Sequence, residues 1–308
     1  MEEKLKIFIY GGSGYLGRSL ISGLGKKYNF VFTSRNKKIN INKANFLNIK
    51  KDKKKILQNL KESDLILIAN GPSFKDSSKN LFSYIKYLND QADLIFRIKK
   101  KKAKIIYFSS IHVYENFKIH KANTSDLLNS RNDYAIRNIV CENLLLNKLK
   151  NQNIHIIRIS NIFGIQKKML KLSKSIFRLS VNQFCENIIK NKKILINSDL
   201  NEKRNFVSVN DFVYFIEKAF ILKNYKFNKI INYASNKEVS LNYLVNIIKS
   251  QSKELKIKPP KIEFTNKIPN SKINYKFDLN DIKKYKLEPK ISLKNEIQNT
   301  LKKIQCLN

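Results

Sequence analysis

Leu5-Lys6-Ile7-Phe8-Ile9-Tyr10-Gly11-Gly12-Ser13-Gly14-Tyr15-Leu16-Gly17 is the stretch that decides the fold. An apolar, β-rich run meets four of the chain's eight glycines, and a helical pattern follows at Leu16, Leu20, Ile21 and Leu24. A strand, a glycine turn and a helix in that order open a βαβ unit suited to a bound dinucleotide. Gly11 permits the tight turn, Gly14 lets the backbone approach a pyrophosphate, and Gly17 lets helix and strand pack closely. The helix N-terminus adds free N–H groups and the positive end of its dipole. Glycines also make ordinary turns. The strand before these and the helix after them favour a cofactor.

Outward from this stretch, apolar runs recur at intervals that suit further βαβ units: Phe30–Thr33, Leu65–Ala69, Ile105–Ser109 and Ile154–Ile159. Between them, Asn80 to Lys100 and Arg131 to Lys150 carry helical apolar periodicity. Five strands with right-handed crossovers predict an α/β fold, a Rossmann-type doubly wound parallel sheet, with ligands outside the carboxyl ends of the strands. After Gly164 the pattern loosens, and four of the five prolines fall in the last fifty residues. The expected division is a dinucleotide-binding domain over 1–165, with a segment near 205–235 returning to it. A smaller C-terminal α/β lobe over 166–308 would cover the substrate.

Composition bounds the rest. The chain has 308 residues and a hydrophobic fraction of 42%, enough for a sizeable core. Cys141, Cys185 and Cys306 form no CxxC pair, which argues against a disulfide framework or a structural zinc site. Met1-Glu2-Glu3-Lys4 runs straight into the first strand, with no room for a signal peptide, and no apolar run approaches the length of a membrane span. A cytoplasmic protein without a membrane partner is expected. The net charge of +37 would ordinarily suggest nucleic acid, but the lysines are spread from end to end. The denser runs, Lys50 to Lys55 and Lys99 to Lys102, have no interleaved aromatic residues on which bases would stack. They read as solvated surface rather than a nucleic-acid site.

Two residues stand out for chemistry. Ser110 ends the fourth strand, and Tyr134 opens the following helix, so their hydroxyls can converge over a nicotinamide. At the close of strand two, Thr33-Ser34-Arg35-Asn36 holds no carboxylate to take a ribose 2′-hydroxyl. Ser34 and Arg35 suit a 2′-phosphate instead, so NADP is expected over NAD.

At this point the chain resembles an extended short-chain dehydrogenase/reductase of the NAD-dependent epimerase/dehydratase branch, acting on nucleotide sugars. Gly11-Gly12-Ser13-Gly14-Tyr15-Leu16-Gly17 matches the family's GxxGxxG loop, and Ser109-Ser110-Ile111-His112-Val113-Tyr114 its SSxxVY segment. Arg158-Ile159-Ser160-Asn161-Ile162-Phe163-Gly164 is similar to its RxxNxYG turn, and Arg204-Asn205-Phe206-Val207-Ser208-Val209-Asn210-Asp211 to its RDFxxVxD stretch. Asp278 and Tyr285-Lys286-Leu287-Glu288-Pro289 resemble its closing segment.

The resemblance implies that Tyr134 is the acid/base and that Ser110 polarises the reacting oxygen. It places Gly11, Gly14, Tyr15, Leu16, Gly17, Ala69, Asn70, Gly71, Ser109 and the residue at 138 around the cofactor, and sets Asn45-Phe46 near its adenine. Asn161 and Arg204 would touch a nucleotide-sugar partner, Arg204 at its diphosphate. A homodimer stays open.

The chain departs from the family at one place. The family carries a Lys four residues after its Tyr, which lowers the phenol's pKa and holds the nicotinamide ribose. Here that position is Asn138, and the nearest cation is Arg137. Three readings remain: Arg137 substitutes, a Lys from elsewhere does, or the redox step is weakened or lost. Ile111-His112 stand where the family's 4,6-dehydratases carry Asp-Glu, which leaves an epimerase or a ketoreductase. The competing classes are a dinucleotide-binding protein with impaired catalysis and a nucleic-acid-associated Rossmann protein.

Overall fold

Ile7, Phe8 and Ile9 are fully buried because their strand, β1 (Lys6–Tyr10), lies inside a seven-stranded parallel sheet. The computed structural model describes residues 4–35, 41, 44–71, 81–98, 103–114, 121–130, 132–150, 152–169, 171–174, 176–196, 199–264 and 276–307. The glycine turn leads from β1 into α1 (Tyr15–Leu24), followed by β2 (Asn29–Ser34), β3 (Asn45–Asn48), α2 (Lys53–Glu62) and β4 (Leu65–Ile68). Then come α3 (Leu81–Ile98), β5 (Lys104–Ser110), a 3₁₀ turn at Ile111–Tyr114, α4 (Asp133–Lys148) and β6 (Ile154–Ile159). Beyond them lie β7 (Asn161–Phe163), α5 (Ser180–Ile189), β8 (Ile194–Ile196), β9 (Lys203–Ser208), α6 (Val209–Ile216) and β10 (Ile230–Tyr233). The described chain closes with β11 (Glu238–Ser240), α7 (Leu241–Glu254), β12 (Ile262–Phe264), α8 (Asn280–Lys284) and α9 (Leu293–Leu307).

The sheet order is β10-β6-β5-β4-β1-β2-β3. Its 3-2-1-4-5-6 part is the order of a dinucleotide-binding Rossmann sheet. Strands buried on both faces need nearly continuous apolar sequence, and Leu65-Ile66-Leu67-Ile68 and Ile154 to Ile159 provide it. All five expected strands are present, with ends shifted by a residue at most. Two edge strands, β3 and β10, add to them. β3 is only Asn45-Phe46-Leu47-Asn48, too short to show a period. The two long helices occur as α3 and α4. The predicted ends Asn80, Lys99, Lys100 and Arg131 lie outside the described residues, as do Lys101, Lys102 and Asn36. In the other dense run, Lys51 and Lys53–Lys55 are exposed at the start of α2, a solvated face.

The chain divides into two compact units. The first comprises 1–117, 125–159 and 226–231, and the second 118–124, 160–225 and 232–308. In the first, Phe8, Ile66, Ile105 and Ile156 from the sheet pack with Leu94 and Ile98 of α3 and Leu145 of α4. In the second, β11-β9-β7 form a three-stranded sheet, β8 pairs with β12, and α9 packs against α5 and α7. Among the described residues, no helix is long and apolar enough to cross a membrane.

Candidate active site

The glycine turn is built by close contacts. Gly11 has φ +91°, and a Cβ there would lie 2.5 Å from the Cβ of Asn70. Its N–H donates to Thr33 Oγ1 at 3.0 Å, which ties the turn to β2. A Cβ on Gly12 would meet Phe32 at 2.4 Å, and one on Gly17 would meet the Cα of Gly12 at 2.4 Å. Gly14 differs. A Cβ there would make only ordinary contacts, with Gly11 O at 3.4 Å and Ala69 O at 4.0 Å, so nothing in the described protein forbids a side chain. Gly14 is the N-cap of α1, with no side chain to cap the helix and no acidic residue in the first turn. This end of α1 therefore keeps its positive dipole for an outside anion. Tyr15 and Gly17 are buried, and Leu16 is half-buried.

Asn70 follows β4 and packs under the turn. Its carbonyl accepts from Tyr87 Oη at 3.0 Å and its Oδ1 from Gln91 Nε2 at 2.9 Å. Ala69 donates its N–H to Tyr10 O, and Gly71 is exposed. At the end of β2, Ser34 is buried while Arg35 is exposed. Asn45-Phe46 lies on edge strand β3, with the Phe46 ring 5.7 Å from that of Phe32.

Tyr134 sits in the first turn of α4, where Asn132 caps the helix by accepting its N–H at 2.8 Å. Arg137, one turn on, is 3% exposed. Its Cζ lies over the Tyr134 ring, 4.7 Å from the centroid, and over the Tyr87 ring, 4.9 Å away. The same Cζ would be 3.3 Å from a Cβ on Gly71, so the guanidinium rests against that backbone. Burial pulls the Arg137 guanidinium pKa down, and the surrounding phenols, Tyr87 first, more than restore it. The guanidinium stays charged.

Asn138 is buried and turned inward. Its Oδ1 accepts from Tyr107 Oη at 2.8 Å, and its Nδ2 donates to the Tyr134 carbonyl at 3.0 Å. Ser110 Oγ, at the end of β5, accepts from His112 N–H at 3.3 Å. The His112 ring meets the Tyr134 ring edge-on at 5.9 Å, bringing the Ser110 turn against the start of α4. His155 is a packing residue on β6, with Nδ1 3.1 Å from the Asn228 carbonyl oxygen. His120 lies outside the described residues.

Beneath this surface is a buried charged network. Arg158 and Glu142 are 2% and 1% exposed and pair at 2.7 Å. Arg158 Nη1 also donates to Tyr114 Oη at 2.6 Å, and Ser109 Oγ makes a short hydrogen bond to Glu142 Oε1. β5, β6, α4 and the turn after Ser110 are thus tied together at the strand ends. Glu142, Tyr87 and Gln91 escaped the motif reading. The signal for Glu142 was one acid in Ile139-Val140-Cys141-Glu142 facing one base in the apolar strand Ile154 to Ile159. Opposite charges in apolar runs must pair when buried.

In the second unit, Asn161 on β7 donates from Nδ2 to Asn205 O at 2.9 Å. Arg204 on β9 is about one-third exposed and makes a short ion pair with Glu202. Neighbouring Asn205 is wholly internal, accepting from Ser160 and Ser235 and donating to the Ser235 carbonyl.

The fold defines a Rossmann-type α/β protein, with Ser110 at the end of β5 and Tyr134 in the first turn of α4. Residues 7–233 match the profile of the NAD dependent epimerase/dehydratase family, and the chain belongs to that family. A Methanocaldococcus jannaschii protein described as "Putative UDP-glucose 4-epimerase" is 27% identical over 260 residues, covering 80% of this chain and 82% of its own. The fold is similar to that of UDP-glucuronic acid 4-epimerase from Bacillus cereus, solved with UDP-glucuronic acid and NAD. The TM-score is 0.78 at 18% identity, covering 99% and 100% of the two chains. It is equally similar to UDP-N-acetylglucosamine 4-epimerase from Methanobrevibacter ruminantium M1, solved with UDP-N-acetylmuramic acid: TM-score 0.78, 19% identity and 98% of each chain.

Proposed function

We propose that the protein is an NAD(P)-dependent epimerase or ketoreductase of a nucleotide-linked sugar, with Tyr134 as acid/base. One observation carries this reading. A single unit holds the uncapped helix start at Gly14, Ser110 at the end of β5, and Tyr134 at the start of α4 with a buried cation over its ring. The activities of the related epimerases support the substrate class. The first unit is read as the cofactor unit and the second as the substrate unit.

The residues fit a dinucleotide: no clash within the protein requires glycine at Gly14, which stands beside a helix N-terminus with no side-chain cap, where a Cβ would stand in a phosphate's approach. Gly11, Gly14, Tyr15, Leu16 and Gly17 would take the pyrophosphate, and Ala69 to Gly71 the stretch beyond it. A bound nicotinamide supplies the acceptor and donor of a hydride. The chain's own residues handle the proton and the orientation. Tyr134 Oη takes the proton from the sugar hydroxyl, while Ser110 Oγ donates a hydrogen bond to that oxygen. An epimerase returns the proton after the sugar has presented its other face. A ketoreductase delivers it once. Arg204 on β9 and Asn161 on the paired strand β7 are assigned to the substrate, the Arg204 guanidinium to its diphosphate.

Arg35 favours NADP, because it is exposed at the end of β2 where no carboxylate competes; buried Ser34 contributes less. A charge-assisted phosphate contact is worth on the order of 1.5–3 kcal/mol, so Arg35→Ala should narrow the preference about tenfold or more. Titration of NADPH and NADH fluorescence reads this, and equal affinities in the wild type would contradict it. Turnover is assayed with UDP-glucose, UDP-glucuronic acid and UDP-N-acetylglucosamine. A second reading, a dinucleotide-binding protein with impaired catalysis, is favoured by Asn138, which brings no amine and spends its amide on Tyr107 and the Tyr134 carbonyl. Cofactor binding without turnover of any of these sugars would select it.

A further inference from the structure

Resting on the assignment of Tyr134 as acid/base, we propose that Tyr87 of α3 is a positioning residue that holds the Arg137 guanidinium on the Tyr134 ring. The clamp has three layers. Tyr87 is fixed from behind, its Oη donating to the Asn70 carbonyl at 3.0 Å, and Asn70 is held in turn by Gln91. The Arg137 guanidinium lies over the Tyr87 ring at 4.9 Å and over the Tyr134 ring at 4.7 Å. Gly71 gives it room, because a side chain there would meet Cζ at 3.3 Å.

A planar cation suits such a place and an ammonium does not. Guanidinium stacks flat on aromatic faces and is weakly hydrated, so it tolerates burial between rings. The residue four after Tyr134 is turned into the core by Tyr107, which leaves the residue three after it to face the phenol. α3 supplies what the helix of Tyr134 lacks. An Arg from α4 alone has many rotamers, and Tyr87 selects the one that lies on Tyr134.

The test is a double-mutant cycle on the full-length protein, read by kcat, KM and cofactor affinity with the UDP-sugar that the wild type turns over. Tyr87→Leu and Arg137→Met should each lower kcat about tenfold, the scale of one desolvated cation–π contact, with KM and cofactor affinity little changed. The double variant should have a kcat no lower than that of Arg137→Met alone, because the Tyr87 ring acts on kcat through Arg137, while its hydroxyl's contact with Asn70 is removed separately in Tyr87→Phe. Tyr87→Phe keeps the ring and should restore most of kcat. Losses that multiply in the double variant would overturn the proposal, as would a Tyr87→Phe as slow as Tyr87→Leu. Arg137→Lys serves if Tyr87→Leu does not fold: it keeps the charge without the plane and should lose kcat about fivefold or more, and wild-type kcat there would also overturn the clamp.

A second readout needs no turnover. The rate at which tetranitromethane nitrates Tyr134, followed by peptide mass, should fall in Tyr87→Leu and in Arg137→Met, because the reagent attacks a phenolate and a neighbouring cation favours that form, and it should fall no further in the double variant. Non-additive nitration with a wild type that turns over no sugar would sink the catalytic assignment and keep the clamp. Turnover that depends on Tyr134, with additive nitration and kcat, would do the reverse.

Discussion

At the residue scale the glycines separate two demands that one motif conflates. Gly11, Gly12 and Gly17 are glycine because a Cβ would strike Asn70, Phe32 or the Gly12 backbone at 2.4–2.5 Å. Gly14 is under no such internal demand. Gly14→Ala should therefore keep the melting temperature within a few degrees of wild type, while lowering cofactor affinity about tenfold or more by filling the phosphate's approach. Gly17→Ala should destabilise the fold by about 1–3 kcal/mol, the cost of overpacking. Thermal melts and cofactor fluorescence distinguish the two, and a Gly14→Ala variant of wild-type affinity would show that the opening serves no ligand. The identity of these residues was legible in the sequence because glycine next to a strand has few uses. The partner of Arg137 was not. Nothing near Tyr87 in the sequence says that its ring meets a cation from another helix; only the packing of α3 on α4 does.

At the scale of elements, α9 is docked through a buried acid. Glu296 is fully buried in its first turn, where Oε1 accepts from Asn210 Nδ2 at 2.9 Å and crowds Gly164, whose φ is +98°. Just before the helix, Asp211 accepts the N–H groups of Lys290 and Ile291 at 3.0 and 2.8 Å. Burial pushes the Glu296 carboxyl up to about 7, with Ser208 and Asn210 offsetting part of it and Asp211 adding to it. The unfolded chain releases this proton near pH 4.5, whereas the folded protein keeps it until about 7. The stability Glu296 provides is thus full below pH 4.5 and is lost as pH rises through 7, on the order of 2–3 kcal/mol in all. Melting temperature measured from pH 5 to 8 should fall more steeply in the wild type than in Glu296→Gln, and parallel curves would contradict this. The five central strands were legible because parallel strands buried on both faces leave long apolar runs. β3 was not, because at the sheet's edge Asn45-Phe46-Leu47-Asn48 has too little apolar sequence to mark a strand, whereas β10 lies in the segment near 205–235 that was expected to return to the first domain.

At the scale of the whole molecule, the chain joins the family's fold to Asn138, which stands where the resemblance leads one to expect a Lys. The ordered motifs were legible because each has a local reason: a turn, a strand end, a helix start. The buried pair of Glu142 and Arg158 joins α4 to β6, and its halves lie 16 residues apart, each among apolar neighbours. No local pattern links them. If the proposed nucleotide-sugar substrate is correct, the net charge of +37 would help to gather it, since a basic field raises the local concentration of anions.

In the proposed reaction Tyr134 moves the proton while a dinucleotide takes or gives the hydride on a nucleotide sugar. The most direct measurement is turnover and cofactor affinity of Tyr134→Phe beside the wild type, with the same UDP-sugar and the same cofactor. Removing the one hydroxyl should lower kcat by about 10²-fold or more, the contribution of a positioned acid/base, with cofactor affinity largely unchanged. A Tyr134→Phe protein that turns over as fast as the wild type would contradict the account.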